Sequence, residues 1–155
     1  MASGRYANFK PETIAFLNEL KKNNNRDWFN ENKSRYEEQV LDVALYFIQS
    51  MQDPLKEIAP HFTAIPKRVS GSLMRVYRDT RFSKNKLPYK THFGGSFSRR
   101  KPELRGGYYL HIQPNNESFI ATGFWDPNKE DLLRIRKEFE MDDGEMRAIL
   151  NDKTF

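Results

Sequence analysis

The chain has 155 residues, of which 37% are hydrophobic and 14% aromatic, and this is enough apolar material for a single folded domain over residues 1–155. It contains no cysteine, which excludes disulfides, thiolate metal sites and a cysteine nucleophile. The 26 Lys and Arg residues outnumber the 21 Asp and Glu residues, and the net charge of +5 favours an anionic partner.

The composition also predicts where the protein works. No apolar run near the N-terminus has the length of a signal peptide, and no stretch is long and apolar enough to span a membrane. Together with the absence of cysteine, these features predict a cytoplasmic protein without a membrane partner. The sequence indicates no cofactor and leaves the oligomeric state open.

The N-terminal third has the spacing of amphipathic helices. Residues 11–22 form the first predicted helix, with Pro11 in its first turn, and Asn25 or Asp27 can cap a second helix. The clearest pattern is an apolar stripe with steps of three and four residues, which predicts one core helix over residues 33–52. The buried stripe consists of Tyr36, Val40, Val43, Ala44, Phe47, Ile48 and Met51.

From Ser72 the spacing of apolar residues changes to two, which is the period of a half-buried strand. Four strands are predicted, over residues 72–77, 91–98, 107–113 and 118–125, with a turn at Pro114, Asn115 and Asn116. In the first strand, Met74 and Val76 should face the core. Arg75 and Tyr77 should face away from it.

Helices return after the strands. Asp126 and Pro127 form a cap and a first turn for a helix that continues through Phe139, and Asp143 caps a last short helix. Three aromatic residues before these helices are interpreted as core residues: Phe119, Phe124 and Trp125. This order of elements predicts an α+β fold, with an antiparallel sheet of about four strands, helices packed on one face, and helical segments at both ends.

Positive charge is concentrated in the middle of the chain. Twelve basic residues and only two acidic ones lie between Lys67 and Arg105. Residues 75–90, called the basic-aromatic segment below, combine guanidinium and ammonium groups with aromatic rings, and this mixture suits phosphates and stacked bases. The alternative is a solvated surface whose arginines pair with the acidic C-terminal helices. The predicted ligand-binding residues are Arg75, Tyr77, Arg78, Arg81, Lys84, Tyr89 and Lys90, with Tyr109 on a neighbouring strand.

Three residues are candidates for acid–base catalysis. His92 and His111 lie on the polar phase of their strands, so they should share one face of the sheet with Arg75 and Tyr77, although they could equally be partly exposed sheet residues. Asp79, alone among cations, could act as a base, or it could form a structural ion pair or a turn. No HxH or HExxH spacing, P-loop or dinucleotide fingerprint is present, so no metal site is predicted.

Two sequences in this region carry a resemblance. RVYRDTRFSK, which begins at Arg75, and PYKTH, which begins at Pro88, resemble the signature of a widespread family of bacterial and fungal conserved hypothetical proteins, a domain of unknown function. The aromatic pair at 28–29 and the strand from Gly107 are similar too. The resemblance implies membership of that family, with no established activity or catalytic residue. Members continue beyond the position of Phe155, so the resemblance also implies a C-terminally shortened chain.

Three functions are consistent with these patterns. The sequence favours a domain that binds an anionic ligand, either nucleic acid or a phosphate-bearing small molecule, through the basic-aromatic segment. The alternatives are an enzyme that acts on a phosphorylated or carboxylated substrate, and a scaffold that docks an acidic protein. A polymeric ligand predicts a steep salt dependence, an enzyme predicts a closed pocket, and a scaffold predicts a broad shallow surface.

Overall fold

A computed structural model describes residues 8–99 and 106–154 of the chain. The helices are α1 Pro11–Lys22, α2 Arg26–Glu31, α3 Lys33–Tyr36, α4 Asp42–Ser50, α5 Gln52–Ile58, α6 Lys129–Met141 and α7 Gly144–Leu150. The strands are β1 Phe62–Thr63, β2 Phe93–Arg99, β3 Gly107–Ile112 and β4 Phe119–Gly123. Within the described part of the chain, no helix is both long enough and apolar enough to cross a membrane.

The first two helices form where the sequence supplies their ends and their apolar sides. Pro11 occupies the first turn of α1, and Phe16 and Leu20 of that helix are fully buried. Asn25 caps α2, because its side chain accepts a hydrogen bond from the Trp28 backbone N–H at 3.0 Å. Of the two predicted caps, Asn25 and Asp27, Asn25 is the one that caps the helix.

The core helix predicted over residues 33–52 is interrupted. A π-helical turn, Glu37–Leu41, separates α3 from α4. Such a turn widens the helix by a residue, and here it brings Leu41 to the buried side next to Val40. Within the predicted stripe, Val40, Ala44 and Ile48 are buried, whereas Tyr36, Val43, Phe47 and Met51 are only partly buried. The predicted burial is therefore correct for the centre of the stripe and wrong in degree at its edges.

The four strands form one antiparallel sheet in the order β1-β2-β3-β4. Phe93 and Phe97 of β2 join Ala44 and Ile48 of α4 and Leu55 of α5 in one buried cluster. The opposite face is called the outer face, and it carries Gly94, Ser96, Tyr109, His111 and Phe119, with His92 and Gln113 next to the ends of β2 and β3. Helices thus cover one face of an antiparallel sheet, and the predicted α+β architecture is confirmed.

The strand predicted over residues 72–77 is not continuous. Leu73 forms a single antiparallel bridge with Gly95, and the Met74 N–H donates to the Gly94 carbonyl at 2.9 Å. Because bridged residues point to the same side, Leu73 faces the helices and Met74 faces the outer face. Met74 was predicted to face the core, so that prediction is wrong. The fourth strand is instead β1, whose two residues are too few to show an alternation.

The turn and the helix that follow β3 match the sequence to different degrees. Asn115 and Asn116 adopt φ values of 67° and 59°, as the predicted turn between β3 and β4 requires. Helix α6 is capped by Asn128, whose side chain accepts a hydrogen bond from the Asp131 N–H at 2.7 Å. The predicted cap at Asp126 is therefore wrong by two residues.

Candidate functional site

The basic-aromatic segment is a long hairpin loop that backbone hydrogen bonds close at its base. Tyr77 and Tyr89 form an antiparallel bridge, and the Lys90 N–H donates to the Val76 carbonyl at 2.8 Å. The buried amide of Asn24 donates to the Tyr89 carbonyl at 2.9 Å and accepts from the Tyr89 N–H at 3.0 Å. Asn24 therefore pairs with the backbone as a neighbouring strand would, and it fixes the segment to the connection between α1 and α2.

The aromatic residues of the segment are divided between core and surface. Tyr89 is buried, and its ring stacks on that of Phe29 with centroids 4.0 Å apart, so it has no free face for a ligand. Tyr77 packs edge-on beside Phe29 and is 53% exposed, while Phe82 is 94% exposed. Tyr77 therefore lies with Tyr89 and not with the histidines of the outer face. Tyr77 and Phe82 are the rings that the segment offers to a ligand.

Asp79 forms an ion pair with Arg81. Its carboxylate accepts from the Arg81 Nε at 3.0 Å, from Nη2 at 2.7 Å and from the backbone N–H at 3.2 Å. These hydrogen bonds hold the pKa of Asp79 below its ordinary value. A carboxylate so occupied is a weak base, and its contacts match the structural alternative. Within the described residues, no three His, Asp or Glu side chains lie close enough together to hold a metal ion.

Four other cations of the segment lie in a different environment. Among the described residues, no carboxylate lies within ion-pairing distance of Arg75, Arg78, Lys84 or Lys90. Burial lowers the pKa of Lys90, and the charge of Arg75 lowers it further. Arg75 and Lys90 therefore repel each other.

A cleft of about 490 Å³ lies between the segment and the connection of α1 with α2. Its lining residues are Asn24, Asn25, Arg26, Thr80, Asn85, Lys86, Leu87 and Pro88. The Lys86 ammonium is held at the edge of the cleft by the Thr80 carbonyl, 2.8 Å away. Two cations and several amides line this space, and none of the described lining residues is acidic. The cleft is therefore suited to a small anion.

Three aromatic rings stand in a column on the outer face. The rings of His92 and His111 stack with centroids 4.1 Å apart, and the rings of His111 and Phe119 stack at 4.6 Å. The predicted placement of the two histidines on one face is confirmed. Phe119, Phe124 and Trp125 are exposed, so their interpretation as core residues is wrong. The reason is that β4 is an edge strand whose residues are exposed on both faces, as Ile120 at 76% exposure shows.

A hydrogen-bonded chain runs along β3 on the same face. The Tyr109 hydroxyl lies 3.0 Å from Nδ1 of His111, and Nε2 of His111 lies 2.8 Å from Oε1 of Gln113. The alternation of the strand predicts that Gln113 lies on this face with Tyr109 and His111, because residues two apart share a face, and the structure places it there.

One family model, described as Conserved hypothetical protein (DUF2461), matches residues 12–155. The chain belongs to the DUF2461 family. The family expected from the resemblance is therefore confirmed. Neither a curated protein nor a solved structure matches the chain. The function of this DUF2461 protein is consequently inferred from the geometry of its two clusters, the basic-aromatic segment and the outer face.

In this DUF2461 protein, His92 should titrate far below the usual range for histidine. Burial lowers the pKa of His92 to about 4, and His111 and Lys90 contribute in the same direction. The stability contributed by neutral His92 should be complete above the ordinary pKa of 6.5 and should be lost as the pH falls toward 4. The substitution Lys90→Gln should raise the pKa of His92, measured by NMR titration. A value near 6.5 in the unmodified protein would contradict this environment.

Proposed function

We propose that this protein binds a phosphate-bearing anion through the basic-aromatic segment, and that the anion is single-stranded nucleic acid. The observation that carries the proposal is the set of cations without a carboxylate partner among the described residues: Arg75, Arg78, Lys84 and Lys90. Positive charges held close together repel, and an anion placed among them relieves that repulsion.

The structural alternative requires these cations to pair with acidic residues, and other basic residues of the chain do pair in that way. Arg35 donates to Glu19 through two hydrogen bonds, at 2.9 and 3.0 Å. At the C-terminal end of the described chain, Asp143, which precedes α7, pairs with Arg147 of that helix at 2.6 Å. Arg75, Arg78, Lys84 and Lys90 lack such a partner among the described residues, as do some cations outside the segment, so it is their concentration within one loop that favours a ligand there.

The form of the segment favours a single strand over a compact ligand. Its cations are distributed along a loop and not around one enclosed point, so they can follow a phosphate backbone. Tyr77 and Phe82 are exposed and can stack on bases, which is a sequence-tolerant contact. The two hydrogen bonds of Asn24 fix the base of the loop before binding, which reduces the entropy lost on association. The cysteine-free composition fits a ligand in the reducing cytoplasm.

A small phosphate-bearing molecule is the second candidate, and the cleft favours it. Its volume of about 490 Å³ is large enough for such a molecule, and the cleft is wide open to solvent. Arg26 and Lys86 would meet the phosphates, while the amides of Asn25 and Asn85 would meet polar groups of the ligand. In this case ATP should bind, and Lys86→Gln should weaken the binding of ATP more than the binding of an oligonucleotide.

The triple variant Arg75→Gln, Arg78→Gln, Lys90→Gln tests the proposal. Its affinity for fluorescein-labelled dT20, measured by fluorescence anisotropy at low salt, should fall by about tenfold or more, because each lost phosphate contact reduces counterion release. The far-ultraviolet circular dichroism should stay unchanged, because these three side chains make no ion pair with a described carboxylate that the substitutions would break.

A matched control removes the same number of charges elsewhere. Lys56, Arg68 and Arg147 each pair with a carboxylate at the surface, at 3.0, 3.5 and 2.6 Å. Changing these three residues to Gln should lower the affinity for dT20 by less than about threefold, because only the net charge of the protein changes. Equal losses in the two triple variants would sink the assignment of the site to the segment.

A further inference from the structure

We infer that Tyr109 is a nucleophile, with His111 as its base and Gln113 as the residue that orients the base, and that this chain acts on a phosphate ester. The assignment of the substrate class rests on the proposed function. The assignment of the nucleophile rests on the geometry of the outer face alone.

The hydrogen-bonded chain along β3 has the order of a nucleophile, a base and an orienting group. Oε1 of Gln113 can only accept, so Nε2 of His111 carries the hydrogen and donates it at 2.8 Å. In the neutral ring, Nδ1 then presents a lone pair to the Tyr109 hydroxyl, 3.0 Å away. A hydroxyl, a base in hydrogen-bond reach and a third group that fixes the base form the usual arrangement of an activated nucleophile.

The surroundings hold this arrangement in place. The His111 ring is clamped between the rings of His92 and Phe119, at 4.1 and 4.6 Å, so it cannot turn away from Tyr109. Gly94 of the neighbouring strand lets the Tyr109 ring lie close over β2, because a Cβ there would lie 3.0 Å from both the Tyr109 oxygen and the Met74 sulfur. A side chain at position 94 would therefore crowd the hydroxyl.

Tyr109 needs a base at the moment of reaction. Burial raises the pKa of Tyr109, so the phenolate does not form in advance. Its proton must therefore leave as the new bond forms, and Nδ1 of His111 lies where it can accept that proton. The positive charge that develops on the His111 ring is stabilised by the carbonyl oxygen of Gln113.

The phosphate ester follows from the position of the cations. Lys90 lies two residues before His92 in the chain, and His92 stacks on His111, so Lys90 is the cation of the segment nearest in sequence to the outer face and the one placed to bind the phosphate there. The Tyr109 oxygen attacks phosphorus while its proton passes to Nδ1 of His111, the bond from phosphorus to the alcohol oxygen breaks in line with the attack, and that oxygen takes a proton from solvent water. Water then hydrolyses the phosphotyrosyl bond and gives its proton to the solvent, while His111 returns its proton to the Tyr109 oxygen as that oxygen leaves.

Sulfonylation by phenylmethanesulfonyl fluoride tests the nucleophile without a natural substrate. Peptide mass spectrometry gives the labelling rate of each tyrosine in the folded protein. Tyr109 should react about tenfold or more faster than Tyr46, which is 65% exposed, since a positioned base contributes at least that factor. Equal or slower labelling of Tyr109 would overturn the assignment.

Variants separate the roles of the two partners. His111→Phe keeps a ring in the aromatic column but removes the base, so labelling of Tyr109 should fall to the rate of Tyr46. Gln113→Leu should slow labelling, while Gln113→Glu, which still accepts from Nε2, should restore most of it. Unchanged labelling in His111→Phe would show that the contacts along β3 are structural only, and the inference would fail.

The substrate class has its own test, with bis(4-nitrophenyl) phosphate as the probe. The protein should release 4-nitrophenolate, and Tyr109→Phe should abolish the release. No release by a protein that labels rapidly at Tyr109 would overturn the phosphate ester. Rapid labelling without dT20 binding would reject the proposed function alone, while dT20 binding with slow labelling would reject the nucleophile alone.

Discussion

Replacing Phe29 by alanine should lower the free energy of unfolding by about 3–5 kcal/mol, because a buried aromatic ring is lost and a cavity remains. Phe29 is 2% exposed, and its ring lies 4.0 Å from that of Tyr89 and 5.1 Å from that of Tyr36. Those two rings belong to different parts of the fold, so neither can collapse into the space without moving its backbone. Urea denaturation, followed by circular dichroism, measures the loss.

The matched control for Phe29→Ala is Tyr46→Ala. Tyr46 lies on α4 and is 65% exposed, so its truncation should cost less than about 0.5 kcal/mol. A loss below about 1 kcal/mol for Phe29→Ala would mean that the ring is not packed in the core. Tyr89 would then be free to stack on a ligand, contrary to its burial against Phe29.

The substitution Asn24→Ala should cost about 2–4 kcal/mol, since it leaves two buried backbone groups without a partner. The Asn24 side chain satisfies both the N–H and the carbonyl of Tyr89, 65 residues further along the chain. Loss of these two hydrogen bonds should also release the basic-aromatic segment from the connection between α1 and α2. We therefore expect weaker dT20 binding together with faster hydrogen exchange of the Tyr89 amide.

Asn23 provides the control for Asn24. It is the same residue type one position earlier, and its side chain donates to the carbonyl of Glu19 at the end of α1. Asn23→Ala should cost less than about 1 kcal/mol and should leave the exchange of the Tyr89 amide unchanged. Equal effects of the two substitutions on that amide would contradict the anchoring role of Asn24.

The helices could be predicted because burial of one side of a helix requires apolar residues at steps of three and four, and this spacing is visible in the sequence. The period does not reveal an inserted residue, however, and so the π-helical turn that buries Leu41 was not expected. The orientation of the first predicted strand was harder to predict. Leu73 and Met74 are adjacent and both apolar, so the sequence is compatible with either of them facing the core. The phase is decided by Gly94, whose missing side chain leaves room for the Met74 sulfur on the outer face.

The two clusters were predictable to different extents. The shared face of His92 and His111 follows from the two-residue period, which holds wherever strands pair regularly. The ion pair of Asp79 with Arg81 is local, and it could be foreseen as the structural alternative. The burial of Tyr89 could not, because it depends on Phe29 and Asn24 in distant helical segments, and no local pattern records such partners.

The salt dependence of dT20 binding tests the binding role of the basic-aromatic segment most directly. Each phosphate contact to a single strand contributes about 0.7 to the magnitude of the slope of log K against log salt concentration. The slope of the Arg75→Gln, Arg78→Gln, Lys90→Gln variant should therefore be smaller by about 2 in magnitude, while the control triple variant keeps the slope of the unmodified protein. Identical slopes for the unmodified protein and the segment variant, with the fold intact, would contradict phosphate binding by these three cations.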